Sequence, residues 1–383
     1  MRNLLRAAIA AVLFTVMAPA SPDISAAPLL KIAILGPISG PTFGASTRDG
    51  AMLAVEQWNA RGGIRGSRIA AVVEDSMCDP GPALDAANKV INVDKVRFII
   101  GEVCSRASIP ISEVAEASHV IQVSPSSTHP SVTVDKNGAT KRYVFRACFI
   151  DSFQGRVGAA FAFRNLGARR AFVIFDSWDD YTRGLSESFE SSFRSLGGVI
   201  VGRETHAFID NDFSAILEKV RAARPDLIYL PDQYQVVNLA MRQARQKGIT
   251  APFLGGDAWD SRDLDVGAAD GGYYTTHYDP SDTRPEVRSF LAAYGDRYRD
   301  AAGSPRVPDA IAALSYDAAD LLLSAIEAAG SDNTDAVRQE LESMTFHGVT
   351  GTITFDSLHD PVKGAVIIRV KDGKKVADSF VSP

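Results

Sequence analysis

The sequence is poor in the residues that most often carry chemistry. It has three cysteines and six histidines in 383 residues. The histidines, at 119, 129, 206, 277, 347 and 359, form no H-E-x-x-H and no paired ligand spacing, which argues against a metal site built from a local motif. There is no G-x-S-x-G elbow. There is no G-x-x-x-x-G-K-[ST] phosphate loop, and the GPISG turn at 36–40 lacks the spacing of a dinucleotide fingerprint. Lysine and arginine total 40 against 46 acidic residues, a net charge of −6, and no long basic patch occurs. That argues against nucleic acid or an anionic membrane as partner. No metal, cofactor or nucleic acid is expected.

Long apolar runs are missing too, apart from one. Arg2 and Arg6 precede an apolar stretch from Ala7 to Ala18, and small residues follow. This is the order of a secretory signal peptide, and the stretch is shorter than the ~20 residues that span a bilayer. Residues 1–26 are expected to be removed, with Ala18-Pro19-Ala20 and Ser25-Ala26-Ala27 offering cleavage regions. Outside the cytosol, cysteines tend to pair. With three of them, Cys78, Cys104 and Cys148, at least one stays free or pairs elsewhere.

What is present is an alternation of strand-like and helix-like runs. Strands are expected at 30–35, 69–73, 96–100 and 119–123, with helices at 51–58, 83–93 and 106–118 between them. The rhythm restarts with helix 152–166 and continues through strands 171–175, 198–203, 226–230, 252–255 and 272–277, with helices 183–196, 213–223 and 235–247. Two runs of this kind imply two α/β lobes with parallel sheets. Three successive helices follow at 284–301, 307–329 and 333–344. The segments 349–356 and 364–370 then read as a hairpin turning at SLHDP.

Parallel α/β sheets bind ligands where strands give way to helix N-termini. Those turns hold hydroxyls, aromatics and one strategically placed acid. Ser105 stands where a helix begins, which suits an N-cap and equally an anion site. Ser126, Ser127 and Thr128 form a second hydroxyl-rich turn. Asp257 in GGDAWD suits an ammonium. Phe43, Tyr181 and Trp259 suit the walls of an apolar side-chain pocket or a cation contact. Cys104 as a nucleophile needs a histidine, and His129 is the candidate in a comparable turn.

The stretches IAILGPISGPTFG, GAMLAVEQWNARGGIRG, DSMCDPGPALDAANKVI, IIGEVCS, SPSSTHP, RACFIDSFQG, DDYTRGL, MRQARQKGI and FLGGDAWD resemble, in order from about residue 30 to 370, one family. It is the type I periplasmic solute-binding proteins of branched-chain amino-acid uptake systems. No single stretch is specific; the ordered set is. The resemblance implies an α/β fold of two Rossmann-like lobes joined by a three-segment hinge. Lobe 1 is then 28–146 plus 280–347, and lobe 2 is 147–279 plus 348–383. It also implies a disulfide between Cys78 and Cys104. Ser105 and Thr128 match the hydroxyls that hold a ligand carboxylate, with Ser126 offering backbone. Tyr181 matches a tyrosine on the ammonium side. Asp257 stands where the family carries a glutamate.

Four departures bear on specificity. Asp257 is one methylene shorter than glutamate. Gln233, beside Tyr234, falls where the family shows a tyrosine. Phe43 replaces an aromatic with a polar tip, and Arg106 follows the ligand serine where small polar residues are usual. Cys148 has no family partner and reads as a small buried residue.

The expected function is that of a periplasmic protein, not an enzyme. It binds an amino acid between its lobes as a monomer and delivers it to inner-membrane ABC permease subunits. The rivals are a binder of an aromatic acid, amide or urea, an extracytoplasmic sensor, and a thiol-dependent enzyme.

Overall fold

A computed structural model describes residues 29–39 and 43–382. The expected signal peptide, residues 1–26, lies outside the described residues.

The first half of the chain builds a parallel five-stranded sheet. Its elements are β1 (Leu29–Gly36), α1 (Gly44–Ala60), β2 (Arg68–Asp75), α2 (Pro80–Asn92), β3 (Phe98–Ile100), α3 (Ser105–Ala117), β4 (Ile121–Ser124) and β5 (Val144–Arg146). The strand order is β2-β1-β3-β4-β5. The strands carry nearly continuous apolar runs because helices cover both faces.

The chain then crosses into a second sheet. It forms α4 (Asp151–Ala160), β6 (Arg170–Asp176), α5 (Asp180–Ser195), β7 (Val199–His206), α6 (Ser214–Ala223), β8 (Leu227–Tyr229), α7 (Tyr234–Gln246), β9 (Phe253–Gly255) and β10 (Tyr273–Thr276). After a second crossing come α8 (Pro285–Arg297), α9 (Ala310–Ala329), α10 (Thr334–Ser343) and a small hairpin of β11 (Phe346–Gly348) and β12 (Gly351–Ile353). A third crossing leads to β13 (Ala365–Lys371) and β14 (Lys374–Val381), which extend the second sheet to β14-β13-β10-β9-β8-β6-β7.

The late helices belong to the first sheet. Trp58 Nε1 of α1 donates to Asp320 of α9 at 2.7 Å, and Tyr316 of α9 donates to Gln57 at 2.7 Å. Arg297 of α8 grips Glu56. The interior of α9 is apolar because it is wedged between α1 and the sheet. The two α/β lobes expected from the alternation are therefore present, each built from separated stretches of chain.

Polar side chains knit the three crossings together. Arg146, fully buried, donates to Ser127 O at 2.7 Å and Thr133 Oγ1 at 2.8 Å, and its Nε lies 2.8 Å from Asp360. His359 stacks on Phe145 with ring centroids 4.0 Å apart. Lys363 Nζ donates to Ala147 O at 3.1 Å and Thr350 Oγ1 at 2.6 Å, and Arg284 donates to Val349 O at 2.8 Å.

These ties explain one error of the sequence reading. Segments 349–356 and 364–370 do not pair. Asp317 accepts from Val349 N at 2.8 Å and Thr350 N at 2.7 Å, which makes a tight turn there and closes β11 on β12. The expected turn at SLHDP is present, closed by Asp356 N donating to Asp360 O at 3.0 Å and by a bridge between Phe355 and Pro361, but it is held against Phe145 and Arg146 and lies within the third crossing. β13 pairs instead with β10 and with β14, a mostly exposed edge strand whose polar sequence gave no strand signal. The helix expected to reach residue 301 stops at Arg297.

Candidate functional site

Both lobes present the C-terminal ends of their strands to one cleft, as parallel sheets do at their ligand sites. Between them lies a small cavity. The first lobe lines it with Phe43, Val103, Cys104, Ser105, Ser126 and Ile311. The second contributes Asp179, Tyr181, Gln233, Asp257 and Ala258. Phe43 meets Tyr234 edge to face across the cleft, with centroids 5.9 Å apart.

The first-lobe side is a helix N-terminus. Cys104, not Ser105, occupies the N-cap position of α3, and its side chain accepts no capping bond. The expectation of Ser105 as cap is corrected: Ser105 is the first helical residue, and its Oγ accepts from His129 N at 3.3 Å. Among the described residues no side chain caps α3; the buried carboxyl of Glu102 accepts from the N–H of the N-cap residue itself, Cys104, and, at 2.8 Å, from Ser76 Oγ. Burial pushes that carboxyl up to about 7. Freed from capping, the Ser105 hydroxyl keeps its proton to donate beside the positive end of α3. Ser126 lies alongside, its Oγ donating to Val103 O at 3.1 Å.

Cys104 is bonded to Cys78, with Cα atoms 5.6 Å apart, inside the usual range for a disulfide. This ties the loop after β2 to the start of α3 and leaves no thiolate there. Cys148 is fully buried, and burial pushes its thiol up to about 12, so it is inert. Arg106 does not line the cavity; it pairs with Asp79 at 3.3 Å.

The second-lobe side is built around Asp257. Its Oδ1 accepts from Tyr181 OH and from Gln154 Nε2, each at 2.9 Å, and its Oδ2 lies 3.0 Å from His277 Nε2. Burial opposes ionisation of Asp257, but the bonds from His277, Gln154 and Tyr181 outweigh it and hold the carboxyl below its ordinary value. Burial pushes the His277 imidazole down, so the ring stays neutral; it stacks on Phe149 at 3.6 Å. Asp257 is thus a buried anion satisfied by neutral donors. The two glycines before it are required by space. A Cβ on Gly255 meets Trp259 Nε1 at 2.1 Å, and one on Gly256 meets Tyr181 OH at 2.3 Å.

Two expected ligand residues are not among those lining the cavity. Trp259 is fully buried, and its Nε1 donates to Leu230 O at 2.9 Å, so it braces the Asp257 turn from behind. Thr128 is buried with its hydroxyl toward Asp151, and neither side chain finds a partner of good geometry. Burial pushes the Asp151 carboxyl up to about 8. The sequence reading missed Asp179, Ile311, Gln154 and His277. Asp179 stands in a turn already singled out; Ile311 opens a late helix and carried no signal.

Among the described residues there is no group of three or more histidines, cysteines or carboxylates close enough to hold a metal. No helix among them is long and apolar enough to cross a membrane.

Comparison with known proteins gives the same architecture a lineage. The chain is 29% identical to the leucine-, isoleucine-, valine-, threonine- and alanine-binding protein of Pseudomonas aeruginosa over 339 residues, 88% of each chain. It is 30% identical to Leu/Ile/Val-binding protein homolog 1 of Brucella abortus over 351 residues, 88% of this chain and 89% of that one. Among solved structures, the leucine-binding protein LivK of Thermotoga maritima superposes with a TM-score of 0.85 at 35% identity, covering 92% of this chain and 99% of that one. The branched-chain amino-acid transporter binding protein LivJ of Streptococcus pneumoniae, solved with isoleucine, gives 0.84 at 30% identity, with 93% and 100% covered. Residues 30–375 match the periplasmic binding protein family, and it is to this family of two-lobed solute binders, rather than to any family of enzymes, that the chain belongs.

Proposed function

We propose that the protein is the periplasmic amino-acid-binding component of an ABC uptake system. One observation carries the reading: Asp257 is a buried, ionised carboxylate with three neutral hydrogen-bonding neighbours and no cation, across the cavity from the N-terminus of α3. An anion at one end and a positive helix end with hydroxyls at the other suit an α-ammonium and an α-carboxylate. Ser105 and Ser126 take the carboxylate. Asp257, oriented by Tyr181, takes the ammonium. Phe43, Val103 and Ile311 wall the side chain, and Gln233 and Asp179 meet its end.

In this reading Thr128 and Trp259 act from behind the site. The lobes are 29–146 with about 280–353, and 147–279 with about 365–382. β11 and β12 pack on α9, so the third crossing falls after them. Delivery to permease subunits of the inner membrane, by a monomer that closes about its hinge, completes the proposal; the naming of the Streptococcus pneumoniae relative as a transporter substrate-binding protein supports the delivery.

The test is thermal stabilisation of the purified protein by a panel of L-amino acids, since a ligand that binds only the native state raises its stability. At least one is expected to stabilise it, and Asp257→Ala is expected to abolish that shift. A response to an aromatic acid and to no amino acid refutes the reading.

A further inference from the structure

The far end of the cavity is not built for an aliphatic side chain. Gln233 lines it with a buried Oε1 that has no hydrogen-bond partner. Asp179 lines it as well, and its Oδ1 accepts from Tyr181 N at 3.2 Å. Among the described residues no lysine, arginine or histidine lines the cavity. Arg106 pairs with Asp79 at 3.3 Å, but its charge also acts on Asp179, and burial pushes the Asp179 carboxyl up to about 7. The cavity therefore offers acceptors at two places. They are well separated: Tyr181 touches Asp179 with its backbone N–H and Asp257 with its phenol oxygen at 2.9 Å, so a tyrosine's length lies between the carboxylates. One ammonium held by Asp257 at hydrogen-bond distance does not reach Asp179. Something else on the ligand must meet the second acceptor pair, because an aliphatic group there strips water from Asp179 and Gln233 and returns no hydrogen bond. A second ligand carboxylate is disfavoured for the opposite reason: it would lie against the carboxyls of Asp179 and Asp257 with no cation lining the cavity among the described residues.

We propose that the ligand is an α-amino acid whose side chain ends in a hydrogen-bond donor, an amide, a hydroxyl or a short ammonium, received by Asp179 and Gln233. This rests on the amino-acid reading of the site and departs from the leucine, isoleucine and valine named for its relatives; threonine, named for one of them, carries such a donor. Phe43, Val103 and Ile311 hold the methylenes between the α-carbon and that donor.

Calorimetric titration of size-matched pairs tests it: threonine against valine, glutamine against leucine, ornithine against norleucine. In at least one pair the donor-bearing member is expected to bind tenfold or more tightly. The pair that shows it separates hydroxyl, amide and ammonium. Asp179→Ser keeps a good N-cap for α5 while withdrawing the carboxylate, so the fold is retained. Its melting temperature checks this, and the variant is expected to shrink the tenfold preference to less than threefold. If the aliphatic member of every pair binds as tightly or more tightly, the proposal is overturned while the amino-acid reading stands. A donor preference that survives Asp179→Ser overturns it too. If no amino acid binds at all, both fall.

Discussion

Asp257→Asn separates charge from shape at the centre of the site. The amide keeps an oxygen for Tyr181 and Gln154, whose bonds are both 2.9 Å. Its nitrogen then faces His277 Nε2, 3.0 Å away. Since His277 Nδ1 has no partner, the ring is free to change tautomer and accept, so the fold exchanges one hydrogen bond for another at a cost of about 1 kcal/mol. Binding loses more. The ligand ammonium would lie buried beside an amide in place of a carboxylate, and removing one partner of a buried charged pair costs about 2–5 kcal/mol. At ~1.4 kcal/mol per decade this is a loss of roughly thirtyfold to several-thousandfold in affinity. Isothermal titration with the amino acid that stabilises the wild type is the assay. The 2-hydroxy acid with the same side chain is the control, because it lacks the ammonium and is expected to bind both proteins alike. Amino-acid binding by Asp257→Asn within threefold of wild type refutes Asp257 as the ammonium partner.

Three further outcomes follow from the structure. Replacing Cys78 and Cys104 by alanine opens a loop of 26 residues of separation, worth about 3.5 kcal/mol in the chain-entropy model; chemical denaturation is expected to show that loss, and ligand affinity is expected to drop because the turn before Ser105 loosens. Arg146→Met leaves Asp360 buried without its cation and is expected to cost about 3–5 kcal/mol, read as a lower urea midpoint. Asp151 holds its proton in the folded protein up to about pH 8, whereas unfolded it releases it near pH 4. Folding therefore takes up a proton between those values, and its contribution to stability declines as pH rises across that window. Asp151→Asn cannot ionise and is expected to flatten this decline in calorimetric scans.

The fold was largely legible because alternating apolar runs report parallel strands and their covering helices directly. The C-terminal region resisted for physical reasons. Its turn at Val349 and Thr350 is set by Asp317, 32 residues away, and β14 is an exposed edge strand without an apolar pattern. At the site, Asp257, Tyr181, Ser105 and Phe43 stood in strand-to-helix turns and were found there. Trp259 stood in such a turn as well but packs inward, because only a fully buried partner at Leu230 O satisfies its indole N–H. Ile311 reaches the cavity from a helix that returns to the first lobe late in the chain, and no local pattern announces that.

That late return bears on how the chain comes to be folded. α1 is complete within the first sixty residues, but the helix it packs against, α9, begins at Ala310. Most of the chain must therefore be present before the first lobe can bury its apolar surface. Contacts so distant in sequence fold slowly. In a protein exported as proposed here, translocation gains time: while α9 is still being made, the segments ahead of it have no finished lobe to collapse into, and they can pass the membrane as an open chain.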